Sequence, residues 1–255
     1  MGLLDDARKN PSVDALYIHI DAQTPIKFVE SADEVSWSST TMGGGTTITG
    51  APTKHPDASL AHELLHAKLK INGYRQYGAT TAMHHKYRAA NIIAQMLDNE
   101  LQHHRMYSEF LNIGFKAEQF YNDDDIKSYR KVRRELKAMG QTTAREEFLR
   151  AFVTVIAPGG AGTEDERIKL RNFLRARCGK NTWDILIGIE NEIAGWVAQP
   201  SPDSGSVLVN IFRLLGGYDS TWIGWTADSF PANGIFVGQP FTLQQATTWL
   251  ALHAH

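Results

Sequence analysis

The residues best suited to chemistry are two histidines and a glutamate close together in the sequence. His62, Glu63 and His66 form the pattern His-Glu-x-x-His. On a helix, positions 62 and 66 lie about 40° apart around the axis and about 6 Å apart along it, so both imidazoles can bind one metal ion. Imidazole is a good zinc ligand, and the Glu63 carboxylate can take a proton from a water molecule on the metal. The pattern predicts a hydrolase with Zn2+ on His62 and His66 and Glu63 as the general base.

A catalytic zinc site needs a third protein ligand, and a later helix offers candidates. In a predicted helix over 80–113, the face centred on Ile93 includes Glu100 and His104. A carboxylate on an apolar face needs a partner, which a metal ion can supply, so Glu100 is the first candidate. His103, about 80° away around the axis, is its rival. His104 stays open, either as the ligand or as a residue that orients one.

Several predicted elements must position these residues. The helix of the motif is predicted to begin at Pro56 and to end before Asn72-Gly73. Short β-rich runs precede it, at 16–20, 26–30, 35–38 and 46–49. Helical patterns follow it, at 80–113, 123–139, 142–156, 163–177, 182–197 and 242–253. The order predicts an α+β fold with strands first and a mainly helical region after them.

A change in composition predicts where the chain divides. Residues 199–206 are rich in proline and serine, and an aromatic-rich segment with Trp222 and Trp225 follows them. We therefore expect a main domain over 1–198 and a C-terminal lobe or extension over 199–255. The aromatic-rich extension is a possible surface for a protein partner.

The motif resembles the signature of a known enzyme family. His62-Glu63-x-x-His66 is similar to the signature of the zincin metallopeptidases. Asn99-Glu100 on the later helix resembles the gluzincin arrangement, in which a glutamate on a second helix is the third ligand. The resemblance covers roughly residues 15–115 and implies a peptidase that cleaves peptide bonds.

The resemblance also implies an architecture. A small N-terminal twisted sheet would lie over the active-site helix, and its edge strand, for which 46–49 is the candidate, would bind extended peptide. The chain departs from the subfamilies in two places. It lacks the Gly-x-x-His continuation of the metzincins after His66, and His104 stands where gluzincins usually carry an acidic residue.

Composition excludes some classes of protein. The 255 residues carry a formal net charge of −2, which argues against a generally basic nucleic-acid binder. A single cysteine excludes an internal disulfide framework and a cysteine-rich zinc site. No run of about 18 apolar residues is present, and the first residues are acidic rather than basic. We expect a cytoplasmic protein that acts on specific protein or peptide substrates, with no nucleic-acid or membrane partner.

Two other interpretations stay open at this stage. The chain can be a catalytically silent module that binds metal and regulates a partner through its C-terminal region, or a structural helical protein with a chance motif. Glu63 favours the enzyme, because a silent module needs no base. Candidate donors to the oxyanion of a tetrahedral intermediate are Tyr74, Tyr77, Tyr107, His84 and His85.

Overall fold

A computed structural model describes residues 2–82, 87–121, 128–140, 142–160, 162–225, 229–242 and 244–245. Within them the fold is α+β, with eight α-helices and two sheets of three strands, which confirms the predicted class. The helices are α1 (Leu3–Ala7), α2 (Pro11–Asp21), α3 (Pro56–Ile71), α4 (Tyr87–Ile113), α5 (Tyr129–Ala138), α6 (Arg145–Ile156), α7 (Glu164–Val197) and α8 (Gly205–Leu215). The strands are β1 (Ile26–Glu30), β2 (Ser38–Met42), β3 (Gly45–Gly50), β4 (Gly78–Thr81), β5 (Thr221–Gly224) and β6 (Gly234–Phe236).

The N-terminal sheet has the strand order β1-β3-β2. β1 is parallel to β3 and β2 is antiparallel to it. The expectation that 46–49 forms the edge strand is therefore wrong, because these residues lie in the central strand and β2 is an edge. Gly43 and Gly44 join β2 to β3 with φ of +59° and +83°. Tight hairpin turns need such values, so the two glycines allow the chain to close a hairpin between β2 and β3.

The earliest predicted strand, at 16–20, is wrong: these residues belong to α2. Asn10 caps the helix by accepting a hydrogen bond from the Ser12 amide (3.1 Å), and Pro11 begins it. The buried side chains of α2 are Val13, Tyr17 and Ile20, which recur at helical spacing. The predicted strand at 35–38 is also misplaced, because β2 begins only at Ser38.

The motif helix α3 is the centre of the N-terminal half. It begins at Pro56 and ends at Ile71, as predicted. All ten residues from Ala58 to Ala67 are buried, because α1, α2, α4 and β2 pack around the helix. A helix enclosed in this way holds its side chains in fixed directions.

The helical region departs from the predictions mainly at element ends. α4 begins at Tyr87 rather than at 80, because residues 78–81 form β4. The two helices predicted at 163–177 and 182–197 are confirmed as the two helical segments of α7, which meet at a kink where Gly179 has a non-helical backbone (φ +71°). α5 falls within the predicted 123–139, of which 123–127 lie outside the described residues. Most of the helix predicted at 242–253 is likewise outside them.

Elements beyond residue 198 contact elements that precede it. β4 pairs with β5 in the second sheet, whose order is β4-β5-β6. The buried side chains of α8 belong to the same hydrophobic core as those of α6 and α7. The division at 198/199 stays a prediction. In the described part of the chain, no helix is both long and apolar enough to cross a lipid bilayer.

Candidate metal centre

Three buried histidines from two helices converge. His62 and His66 lie on α3 and His103 lies on α4, with exposures of 7%, 9% and 4%. One nitrogen from each lies within 4.8 Å of the others, and the Nε2 atoms of His62 and His66 are 3.1 Å apart. These three side chains are close enough to bind one metal ion.

The structure places Glu100 beside this group rather than in it. Its side chain is buried, and its Oε2 atom lies 3.7 Å from His103 Nδ1. The cluster of candidate ligands found among the described residues is therefore His62, His66 and His103, and the Glu100 carboxylate lies beside the third imidazole. His104 is half-buried and lies outside the cluster.

The path of α4 explains why the sequence favours Glu100. A single apolar face centred on Ile93 does not describe the helix, because Leu111, which lies about five turns along the same face, is 37% exposed. Ile93 and Leu101 pack in the core of the helical region, whereas Met106 and Phe110 pack in the core that contains α3. The helix changes partners along its length, and His103 lies at the change, facing α3.

His66 is held by an amide that the sequence analysis missed. Its Nδ1 atom lies 2.9 Å from Gln102 Oε1. The Gln102 amide nitrogen donates to Asp98 Oδ2 (3.0 Å), so its oxygen must face the imidazole. His66 Nδ1–H therefore donates to Gln102, which leaves the lone pair on Nε2 to face His62. The one sequence signal is that Asp98 and Gln102 are four residues apart on a helix.

Asp98 is in turn fixed by Tyr74. The Tyr74 hydroxyl donates to Asp98 Oδ1 (2.8 Å) and to the Asp98 carbonyl (2.9 Å). Burial raises the pKa of Asp98, while these donors oppose the rise. Tyr74 thus supports the histidines from behind, which is not the role of an oxyanion donor.

The other candidate oxyanion donors lie elsewhere. The Tyr77 hydroxyl donates to Asp203 (2.9 Å). Tyr107 packs edge-on against Phe120, with ring centroids 5.1 Å apart. His84 and His85 lie outside the described residues.

Burial and neighbouring imidazoles keep His62 and His66 neutral in the metal-free protein. Burial, and then the neighbouring His66 and His103, lower the pKa of His62 well below 6.5. Burial, and then His103, lower the pKa of His66 from 6.5 to about 3. Neutral imidazole is the form that binds metal.

Aromatic rings close the inner side of the site. The Phe120 ring lies 4.8 Å from the His62 ring and 5.4 Å from the His103 ring. The Tyr121 ring lies 5.2 Å from His103. Such contacts restrict the rotation of the imidazoles. Nothing in the sequence indicates this packing, because residues 120–121 follow α4 in an irregular segment.

An open cleft of about 490 Å³ leads to the histidines. β2 and the preceding Trp37 line one wall, and Glu63 lines the cleft beside the histidines. The remaining lining side chains are Lys70, Gln76, Asp98, Asn99, Glu100, Gln102 and Tyr121. Glu63 is buried, so its carboxylate meets solvent only through this opening.

The donor set fits a transition-metal ion such as zinc. Three buried imidazoles, with the Gln102 amide hydrogen-bonded to His66 and the Glu100 carboxylate 3.7 Å from His103, resemble nitrogen ligands that outer polar groups orient around a metal ion. Hard cations such as Mg2+ and Ca2+ prefer oxygen ligands and are a poor match.

Comparisons of the chain with models of protein families, with curated proteins and with solved structures found no match.

Proposed function

We propose that this chain is a zinc-dependent peptidase of the zincin type. His62, His66 and His103 hold the ion, and Glu63 is the general base. The observation that carries the proposal is the convergence of three buried imidazoles beside a buried glutamate at an open cleft. A purely structural histidine cluster has no need of a base or of access from solvent.

Glu63 does the proton chemistry in this proposal. A bound zinc ion supplies a Lewis acid that lowers the pKa of water and polarises a carbonyl group. The Glu63 carboxylate accepts a proton from the attacking water and passes it to the amine that leaves when the peptide bond breaks. Burial of Glu63 protects this transfer from bulk solvent.

The edge strand β2 supports a peptide as the substrate. β2 pairs with β3 on one side, and residues 38–42 line the cleft. Within the described residues no strand pairs with its other side. An exposed strand edge binds extended peptide through main-chain hydrogen bonds, so a substrate paired with β2 would pass in front of the histidines.

Metal content and peptide turnover test the proposal together. Protein purified without a metal-affinity tag should contain close to one zinc per chain, and less than about 0.2 would contradict the site. With a mixture of unstructured decapeptides, mass spectrometry should show cleavage by the wild type. Glu63→Gln should lower the rate about 10²- to 10⁴-fold while zinc content stays unchanged.

The same experiment separates the enzyme from a silent metal-binding module. A wild-type protein that holds zinc but cleaves none of the peptides favours the module. Equal turnover by the wild type and by Glu63→Gln would contradict the assignment of the base.

A further inference from the structure

One cation in the cleft has no part in the proposed chemistry. Lys70 is the single lysine or arginine among the described residues that line the cleft. It lies on α3, one turn beyond His66, and is half-buried. Seven residues separate it from Glu63, which places both on nearly the same side of the helix, about 10.5 Å apart along its axis.

The Lys70 ammonium lacks a partner in the part of the chain that the structure describes, where it makes neither an ion pair nor a side-chain hydrogen bond. Lys68, two residues earlier, instead pairs with Glu109 outside the cleft. Lys70 is near enough to the site for its charge to lower the pKa of both His66 and Asp98. A half-buried cation that faces an open cleft is a receptor for an anionic group.

The cleft's own carboxylates already have other roles. Asp98 accepts hydrogen bonds from Tyr74 and Gln102, Glu100 lies against His103, and Glu63 is the proposed base. None of these lies within 4.0 Å of the Lys70 ammonium as an ion pair in the described structure. We therefore expect the substrate to supply the anionic group that pairs with Lys70.

We propose that Lys70 selects peptides that carry a carboxylate near the scissile bond. The inference rests on the proposed function and names its substrate class. An extended chain advances about 3.3 Å per residue, so 10.5 Å from Glu63 corresponds to about three residues from the bond that is cut. The carboxylate belongs either to an aspartate or glutamate side chain or to the C-terminus of a short peptide.

Binding tests the inference without requiring turnover. Zinc-loaded Glu63→Gln protein is titrated with fluorescent decapeptides that carry Glu or Gln at one position, scanned along the peptide. At the best position the Glu peptide should bind about fivefold to tenfold more tightly. When Lys70→Met is added to the Glu63→Gln protein, the ratio of the two affinities should fall below about twofold. When Lys70→Glu is added instead, a peptide with Lys at that position should bind more tightly than the Glu peptide. Lys68→Met, which removes the same charge from the same helix outside the cleft, should leave the ratio unchanged.

The arms of the experiment identify the source of the carboxylate. Each peptide is made with a free and with an amidated C-terminus. A Lys70-dependent gain from the side chain or from the free terminus supports the inference and names the source. The inference is overturned if Lys70→Met leaves the ratio of Glu-peptide to Gln-peptide affinity unchanged. It is also overturned if Lys68→Met lowers that ratio as much as Lys70→Met does, or if no peptide binds.

Peptide cleavage by the wild type tests the proposed peptidase function independently of the Lys70 selectivity. Peptides that bind with the Lys70-dependent preference but are never cut contradict the peptidase while leaving the selectivity of the cleft established. Cleavage of Glu and Gln peptides at equal kcat/KM, with equal binding, contradicts the selectivity and leaves the peptidase standing.

Discussion

Replacing His103 with alanine should remove most of the zinc affinity. His103 supplies one of three imidazoles whose nitrogens lie within 4.8 Å of one another. Structural zinc sites with four ligands bind with about 10–16 kcal/mol, or about 2.5–4 kcal/mol for each ligand. Loss of one ligand therefore weakens zinc binding about 100- to 1,000-fold.

Glu100→Gln should have a smaller effect. Its carboxylate lies 3.7 Å from His103 Nδ1, where we expect it to orient the imidazole once metal is bound. Loss of such an outer partner costs about 10- to 100-fold in metal affinity. We therefore predict that His103→Ala binds zinc more weakly than Glu100→Gln does.

Competition with a chromophoric zinc chelator measures both affinities. His104→Ala is the matched control, because it removes an imidazole one position along α4 that lies outside the cluster. Circular dichroism of the metal-free variants shows whether each has kept its fold. If folded Glu100→Gln loses more affinity than folded His103→Ala, Glu100 is the ligand and the reasoning from the histidine cluster is refuted.

The remaining predictions concern the supports of the site and its pH dependence. Gln102→Leu should lower zinc affinity about 10- to 100-fold, and 15N NMR should show that the Nδ1–H form of His66 no longer predominates; unchanged affinity would contradict the role of the amide. Tyr74→Phe should destabilise the protein by about 1–3 kcal/mol in urea unfolding, because the buried Asp98 carboxylate loses a donor. Leu64→Ala should cost about 2–5 kcal/mol in the same assay, because Leu64 is fully buried in the core around α3. In metal-free protein, the folded-state pKa of His66, about 3, lies below its unfolded value of 6.5. The unfolded state therefore binds a proton that the folded state does not. Between pH 6.5 and pH 5, His66 alone lowers the unfolding free energy by about 2 kcal/mol, and His62, whose pKa is also lowered, adds a loss of the same sign. An unfolding free energy that does not change over this pH range would contradict the prediction.

Local signals predicted the motif helix and its ends. Proline at 56, helical spacing of leucines and Asn72-Gly73 all act within one or two turns, and α3 begins and ends as they predict. The same kind of local signal gave a wrong prediction of a strand at 16–20. There β-branched and aromatic residues suggest a strand, while the cap at Asn10 and packing against α3 favour the helix α2.

Tertiary packing decided what the sequence left open. The order of the strands depends on which of them pairs with β3, and alternation alone cannot show it. His103 faces α3 because α4 passes from one core to another, a path that no single helical face describes. The contacts of Phe120 with two imidazoles likewise join residues far apart in the chain.

The enclosure of α3 gives the cleft two walls of unequal mobility. Ten consecutive buried residues on α3 have backbone amides that can exchange with deuterium only when the surrounding helices separate. β2, at the margin of its sheet and with Met42 76% exposed, opens at far lower free energy. We therefore expect His62 and His66 to be held on a slowly exchanging helix, and on the proposed function the strand that faces them would adjust to different substrates.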